Sequence, residues 1–427
     1  MTQLQKPFFI NSNFCYTPEE CSTLPIFMNT VGQNTGNAYI AYAIYKILFG
    51  RPVPLPEIKN LWTWDFQNED KLVEQINTTC SHVLISLQDQ IRLNLSYGIK
   101  PDWARINHFL TQLKKPFVVF SLGANAFPGD SPDWYTRLQP DFIRFLHILS
   151  EHSTSMSIRG EETAAILNKL GITNVEPVGC PTFFETGPKH QVVKRKVHLN
   201  DPVLGLTCKS YVLQDEQEQI ALSYFPKETV TKHSDTTNLS LSDLSACGLG
   251  YRPCFAGIES WKKFVSSFVF SCFSRMHGGI LSLNTGIPIL ITNDDLRSRE
   301  MCNLFAIPYQ PGTEITAENW IKLYEQIDID TLNRRYPLLY RHFMDWLTRQ
   351  GIDASILSAW HDWAAQLPTW QEPTLPFNFP YQAYLFDKLQ NMDFILKTRD
   401  LRRLILRKIK SQWNKNYHCL LGRKNNK

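Results

Sequence analysis

Ten cysteines occur in the chain, yet no two of them stand in a Cys-x-x-Cys pair. That absence excludes the common zinc-ribbon and thiol-redox spacings. The histidines are equally dispersed, and His361-Asp362 has no partners at ligand spacing, so neither a metal site nor a cofactor is expected. The opening Met1-Thr2-Gln3-Leu4-Gln5-Lys6 lacks the basic-then-apolar plan of a secretory signal. Reduced thiols in a cytoplasmic compartment are therefore expected. No apolar run approaches the roughly 18 to 20 residues that span a bilayer. No glycine-rich loop carries the Gly-Lys-Ser/Thr ending of a P-loop, and internal repeats and low-complexity tracts are missing as well.

What is present is the composition of a folded globular protein, 43% hydrophobic and 20% charged over 427 residues. That is too long for one domain and long enough for two cores. The net charge of +4 hides an asymmetry: from Asn391 onward eleven Lys/Arg face only Asp393 and Asp400, a surplus of nine that leaves the body at −5. A mildly acidic body with a basic tail is not a nucleic-acid-binding surface, and no nucleic acid is expected as a partner. Within the tail, Leu401, Ile405, Ile409 and Trp413 recur every four residues, flanked by Arg402, Arg403, Lys408 and Lys410. Residues 394–413 thus carry the pattern of a basic amphipathic helix suited to the anionic cytoplasmic face of a membrane. The alternative is a helix that packs its apolar stripe on the body and leaves its basic face in water.

Strand and helix signals alternate along the body, which favours an α/β plan with parallel sheets. Residues 25–28, 82–86, 116–120, 155–158 and 175–178 read as strands of a first domain, with helices over 38–49 and 162–170, each closed by a glycine. The polar, basic stretch 187–202 reads as a linker. Further strands are expected at 203–207, 268–273 and 288–292. Beyond about residue 315 the chain turns helical and aromatic-rich, with Trp320, Trp346, Trp360, Trp363 and Trp370; aromatics at helical spacing point to packing before ligand stacking. The domain plan that results is 1–190, 191–315 and a helical extension over 316–427.

Four places could carry chemistry. The loop Gly32-Gln33-Asn34-Thr35-Gly36-Asn37 joins a strand to a helix, where backbone N–H groups can hold an anion or polar ligand; an ordinary turn reads the same way. Ser121-Leu122-Gly123-Ala124-Asn125 follows an apolar strand, at the carboxyl edge where ligands of open α/β sheets collect. Arg159 ends the strand at 155–158, placing a guanidinium fork able to grip carboxylate or phosphate over the same edge. Its alternative is a surface ion pair with Glu161 or Glu162. The fourth place is Arg275-Met276-His277-Gly278-Gly279. As alternate residues leaving a strand, Arg275 and His277 are expected to project to one side. The arginine holds negative charge and the histidine, with a pKa expected near neutrality, gives and takes a proton. A Cys-His pair acting as nucleophile and base is not expected, because Cys180 precedes Pro181 in a turn.

In their order these blocks resemble the polysaccharide pyruvyl transferase family, from Asn29 to Tyr309. The likeness is carried by the loop at 32–37, Ser157-Ile158-Arg159-Gly160, Asn174-Val175 leading to Gly179-Cys180-Pro181-Thr182, Arg275-Met276-His277-Gly278, and the Gly286-Ile287-Pro288 turn before Asn293-Asp294-Asp295. The resemblance implies transfer of a pyruvyl group from phosphoenolpyruvate to two hydroxyls of a sugar, with a cyclic ketal formed and phosphate released. It implies two doubly wound, Rossmann-like domains facing a cleft, as in the glycosyltransferase-B class, with a helical C-terminal extension. By position, His277 would be the acid/base, Arg159 and Arg275 would hold the donor, and Met276, Gly278, Gly32, Asn34, Gly36, Asn37, Gly123 and Asn125 would line the substrate site. The acceptor would be a sugar of a polysaccharide or lipid-linked oligosaccharide. Asn37 stands where many members have aspartate, which removes a carboxylate that could act as a base. Met276 replaces a common leucine at similar volume. A nucleotide-sugar-dependent glycosyltransferase and a non-catalytic carbohydrate-binding relative remain alternatives.

Overall fold

The computed structural model describes residues 6–15, 20, 30, 35–50, 55–93, 101–199, 201, 203–208, 218–224, 229–233, 258–273, 275–313, 315 and 318–352. The strand expected at 25–28, Gly32 and Asn34 of the polar loop, Trp360, Trp363, Trp370 and the basic stretch 394–413 lie outside the described residues.

Strands and helices alternate in the first half: β1 (Phe8–Ile10), α1 (Thr35–Phe49), β2 (Glu57–Ile58), α2 (Glu69–Thr79), β3 (Val83–Ser86), α3 (Trp103–Thr111), β4 (Phe117–Phe120), α4 (Pro140–Glu151), β5 (Met156–Ile158), α5 (Glu161–Lys169) and β6 (Val175–Pro177). The second half contains β7 (Val203–Cys208), β8 (Glu218–Tyr224), β9 (Thr229–His233), α6 (Ile258–Val265), β10 (Phe270–Phe273), α7 (Met276–Asn284), β11 (Ile289–Ile291), α8 (Leu296–Phe305), α9 (Trp320–Gln326) and α10 (Asp330–Arg349).

The first sheet has the order β2-β1-β3-β4, all parallel. A parallel bridge between Leu122 and Ile158 continues it towards the parallel pair β5-β6. The second sheet runs β11-β10-β7-β8-β9, parallel among β11, β10 and β7 and antiparallel at β8 and β9. The parallel segments are the near-continuous apolar runs that a strand covered on both faces requires, such as Val-Leu-Ile-Ser in β3 and Phe-Val-Val-Phe in β4. Their side chains alternate between two buried clusters. Phe8, Ile10, Val83, Ile85, Phe117 and Val119 enter one of them. Phe9, Leu84, Val118 and Phe120 enter the other, which continues into the second sheet and its helices.

Local stops are legible in the chain. Gly50 takes a positive φ of 64° just past α1, the left-handed cap that a Cβ disfavours. The Asp102 side chain accepts from the Arg105 N–H at 3.1 Å to open α3, and Pro140 opens α4, where no N–H is missed. Trp320 and Trp346 are fully buried, in keeping with the packing expected of them, and the Trp346 indole donates to Ser155 Oγ at 3.1 Å. Strand β1 was not expected: Phe8-Phe9-Ile10 is too short for its period to show, and pairing with β2 and β3 makes it a strand.

Candidate active site

The carboxyl ends of parallel strands gather at one edge, and the polar residues that follow each strand meet there. β3 leads into Gln88-Asp89-Gln90, β4 into Ser121-Leu122-Gly123, and β5 into Arg159. β6 leads into Gly179-Cys180, and β10 into Arg275 and α7. Arg159 is 1% exposed, so the surface ion pair considered for it is not formed; Glu162 instead takes a two-pronged bond from Arg299 at 2.7 and 2.8 Å. Arg159 Nε donates to Ser121 Oγ at 3.1 Å. Ser121 holds a left-handed φ of 62°, a costly conformation for a residue with a Cβ. Arg159 Nη2 is buried and has no hydrogen-bond partner among the described residues.

Gly123 makes room for this arginine. A Cβ there would lie 2.6 Å from Arg159 Cδ and 3.2 Å from Cγ, closer than carbon atoms pack. The neighbouring Asn125 is buried, and its amide donates to Asp89 Oδ2 at 3.2 Å.

Arg275 is the buried N-cap residue of α7, in extended conformation, and His277 lies in the first turn of that helix. The chain therefore leaves β10 directly into a helix, and the two side chains are not alternate positions of a strand, as the sequence pattern suggested. Gly278 and Gly279 are helical and buried. A Cβ on Gly279 would lie 2.7 Å from Ile291 Cδ1 and 3.0 Å from Ile289 Cδ1, so this glycine presses α7 onto β11. Met276 is buried in the core shared with the second sheet. Gly36 and Asn37 stand in the first turn of α1. Two residues on, the Tyr39 hydroxyl donates to Glu185 and accepts from Asn284 Nδ2 at the far end of α7.

Sequence reasoning passed over several residues here. Asp89 is flanked by the guanidiniums of Arg297 at 3.3 Å and Arg92 at 3.5 Å. Burial works against its charge, but Arg297, Arg92 and Arg159 outweigh burial and hold its carboxyl well below the usual carboxylate range. Arg297 also bonds Asp295 at 2.9 Å, while Asp295 accepts from Ser298 N at 2.7 Å as the N-cap of α8. The same helix reaches Glu300 across to α5, where its carboxyl oxygens accept from Thr163 N at 3.0 Å and Thr163 Oγ1 at 2.8 Å. Burial pushes the Glu300 pKa up to about 8, against the lowering effect of these two bonds. The signals for this group were the Gln88-Asp89-Gln90 triplet after an apolar strand and the Arg-x-Arg-Glu of 297–300.

His277 is held well below its ordinary pKa, first by burial and then by the positive charges of Arg159 and Arg297, with Asp89 opposing. The near-neutral pKa expected of it is thereby corrected: shutting an imidazole away from water beside guanidiniums disfavours its charged form. Its Nε2 lies 3.7 Å from Cys180 Sγ, because the turn after β6 and the start of α7 converge. Thr182 Oγ1 donates to the same sulfur at 3.0 Å.

A second ionic cluster anchors α7 from behind. Glu185 is fully buried and pairs with Lys46 at 2.6 Å and Lys262 at 2.5 Å. Burial opposes its charge, but Lys262 and Lys46 outweigh burial and bring its pKa down to about 2. Glu259 completes the set through Lys262 at 3.4 Å and a hydrogen bond from Tyr42. Two cations and two carboxylates balance one another, so this cluster links α1, α6 and α7 without excess charge for a ligand.

Among the described residues no three or more His, Cys, Asp or Glu side chains come together as a metal site, and no helix is long and apolar enough to cross a membrane. Cys80, Cys180, Cys272 and Cys302 are buried free thiols, and Cys15 is buried as well.

Parallel strands thus bring Arg159, Arg297 and His277 within electrostatic reach of one another at one carboxyl edge. The sequence model of the polysaccharide pyruvyl transferase family matches residues 34–295, more than half of the chain, and the chain belongs to that family. Pyruvyl transfer in polysaccharide biosynthesis is thus its general activity. A comparison with curated proteins finds no match.

Proposed function

We propose that the protein transfers a pyruvyl group from phosphoenolpyruvate to two hydroxyls of one sugar in a polysaccharide or lipid-linked oligosaccharide, forming a cyclic ketal and releasing phosphate. The observation that carries this reading is Arg159: a buried guanidinium whose Nη2 lacks a partner among the described residues, next to a histidine whose pKa is lowered by burial and by that guanidinium. An unpartnered buried donor costs about 1–3 kcal/mol, more for a charged group. A carboxylate or phosphate removes that cost on binding. An acidic body attracts such an anion only through a local cluster of this kind. Arg159 and Arg275 hold the donor, and His277 carries the proton exchanged between the sugar hydroxyl and the donor's methylene carbon. Proton transfer by a positioned side chain contributes about 10² to 10⁴-fold. Stabilisation of the departing phosphate by a guanidinium contributes comparably.

On this reading the two sheets are the cores of two doubly wound domains, 1–190 and 191–315, that face a cleft in the glycosyltransferase-B manner. The enzyme works in the cytoplasm without a cofactor, and its tail at 394–413 brings it to lipid-linked acceptors at the membrane. The test is phosphate release from phosphoenolpyruvate in the presence of galactosides, glucosides and mannosides, with mass detection of the pyruvyl adduct. His277→Ala and Arg275→Ala are expected to abolish release while the circular dichroism spectrum is unchanged. A variant that keeps most of the activity, or a wild type that binds a nucleotide sugar and releases no phosphate, refutes the reading.

A further inference from the structure

Cys180 is the buried nucleophilic group that this reaction leaves without a part. Its sulfur lies 3.7 Å from His277 Nε2 and receives the Thr182 hydroxyl at 3.0 Å. Cys180 and Thr182 are both wholly buried. Neither partner rests on a loose segment. Gly179 N donates to Ile158 O at 2.8 Å, which ties the cysteine to the strand that presents Arg159. His277 stands on α7, pressed against β11 at Gly279.

The Thr182 hydroxyl donates into a sulfur lone pair, so the thiol keeps its own proton, and the arrangement in which the thiol donates has Nε2 as the acceptor beside it. The imidazole then carries its proton on Nδ1. A neutral imidazole cannot release that proton alone, because an imidazolate would be left behind. A thiol at Nε2 removes the obstacle, since its proton replaces the one given away.

We propose that Cys180 supplies, through His277, the proton received by the methylene carbon of the donor. The proposal rests on the pyruvyl-transfer reading of the site. The Nδ1–H bond breaks as a C–H bond forms at the methylene carbon, and Nε2 takes the S–H proton, leaving a thiolate and a neutral imidazole. The oxygen of the first sugar hydroxyl bonds to the adjacent carbon. Its proton goes to Nδ1, and the Nε2 proton returns to sulfur. Phosphate departs with the electrons of its C–O bond, the second hydroxyl closes the ring, and its proton leaves with the phosphate. No group is oxidised or reduced. The transient thiolate keeps the Thr182 hydroxyl as donor, and negative charge on this sulfur favours the charged form of Arg159. Cys180 acts through the histidine and does not touch the substrate, so it is a positioning residue in this scheme.

The experiment compares wild type, Cys180→Ala and Cys180→Ser by phosphate release from phosphoenolpyruvate, and by the ¹⁵N signals of His277 without substrate. Both variants are expected to lose about 100-fold in kcat, with KM for phosphoenolpyruvate within about threefold. Serine fails to rescue because a hydroxyl holds its proton far more tightly than a thiol, although it preserves the hydrogen bond. Wild type and Cys180→Ser should show the Nδ1–H tautomer, and Cys180→Ala should lose it. A Cys180→Ala enzyme as fast as wild type overturns the proposal, because an imidazolium formed on donor binding would then suffice. Rescue by serine overturns it too, leaving only an orienting contact. If the wild type releases no phosphate with any acceptor, the function proposed above fails, whereas an Nε2–H tautomer in the wild type refutes the thiol donor by itself. The near-isosteric serine variant and the wild-type spectra keep the test decisive should the alanine variant fold poorly.

Discussion

Replacing Glu300 with glutamine should change how the stability of the protein depends on pH, and the size of the change follows from where Glu300 sits. The carboxyl is 2% exposed and caps α5 through Thr163 N and Oγ1, with burial raising its pKa to about 8. In the unfolded chain a glutamate ionises near pH 4.3. Between those values the folded state holds a proton that the unfolded state has released, so stability falls as pH rises, by about 1.4 kcal/mol per pH unit. The contribution is complete below the unfolded pKa and is lost as pH climbs through the folded one. Over the three units from pH 5 to pH 8 the loss reaches about 4 kcal/mol. Glutamine cannot ionise, yet its amide can accept from Thr163 N and donate to Thr163 Oγ1. Urea unfolding of both proteins at pH 5, 6, 7 and 8 should therefore show wild type losing stability relative to Glu300→Gln at each step, and comparing the two cancels every other titrating group. Parallel stability curves would show that Glu300 is ionised at neutral pH and would refute the reasoning.

Two further outcomes follow from the charge clusters. Glu185→Ala leaves Lys46 and Lys262 buried without the carboxylate between them, and a loss of about 3–5 kcal/mol is expected in urea unfolding at pH 7; a loss below about 1 kcal/mol would mean that water already reaches both lysines. Truncation after Asp393 removes the basic amphipathic stretch, and co-sedimentation with anionic liposomes should fall to background while phosphate release in solution persists; unchanged sedimentation would assign the tail to packing.

Much of the fold was legible because parallel strands buried on both faces are written as continuous apolar runs. β3, β4, β5, β7, β10 and β11 fall within one or two residues of where those runs stand, and the glycine after α1 marks the end of that helix. β1 was illegible, since three residues show no period and only neighbours make them a strand. Arg159 and His277 could be chosen because each follows such a run, and the carboxyl edge of a parallel sheet is where polar groups meet a ligand. What each does there was not legible. The His277 pKa depends on burial and on Arg159, which lies 118 positions earlier, and on Arg297, twenty positions later.

By itself, then, the sequence determined the strand and helix alternation, the order of the blocks that carry the family, and which side chains could hold an anion or move a proton. Those properties are local: hydrophobic period, turn chemistry and side-chain functional groups are all carried by short stretches of chain. Only the tertiary structure decided that Cys180 meets His277, that Glu300 closes α5 beside Arg159, and that the histidine's pKa is pushed down. Those are properties of distance and dielectric, which arise when segments remote in sequence exclude water together.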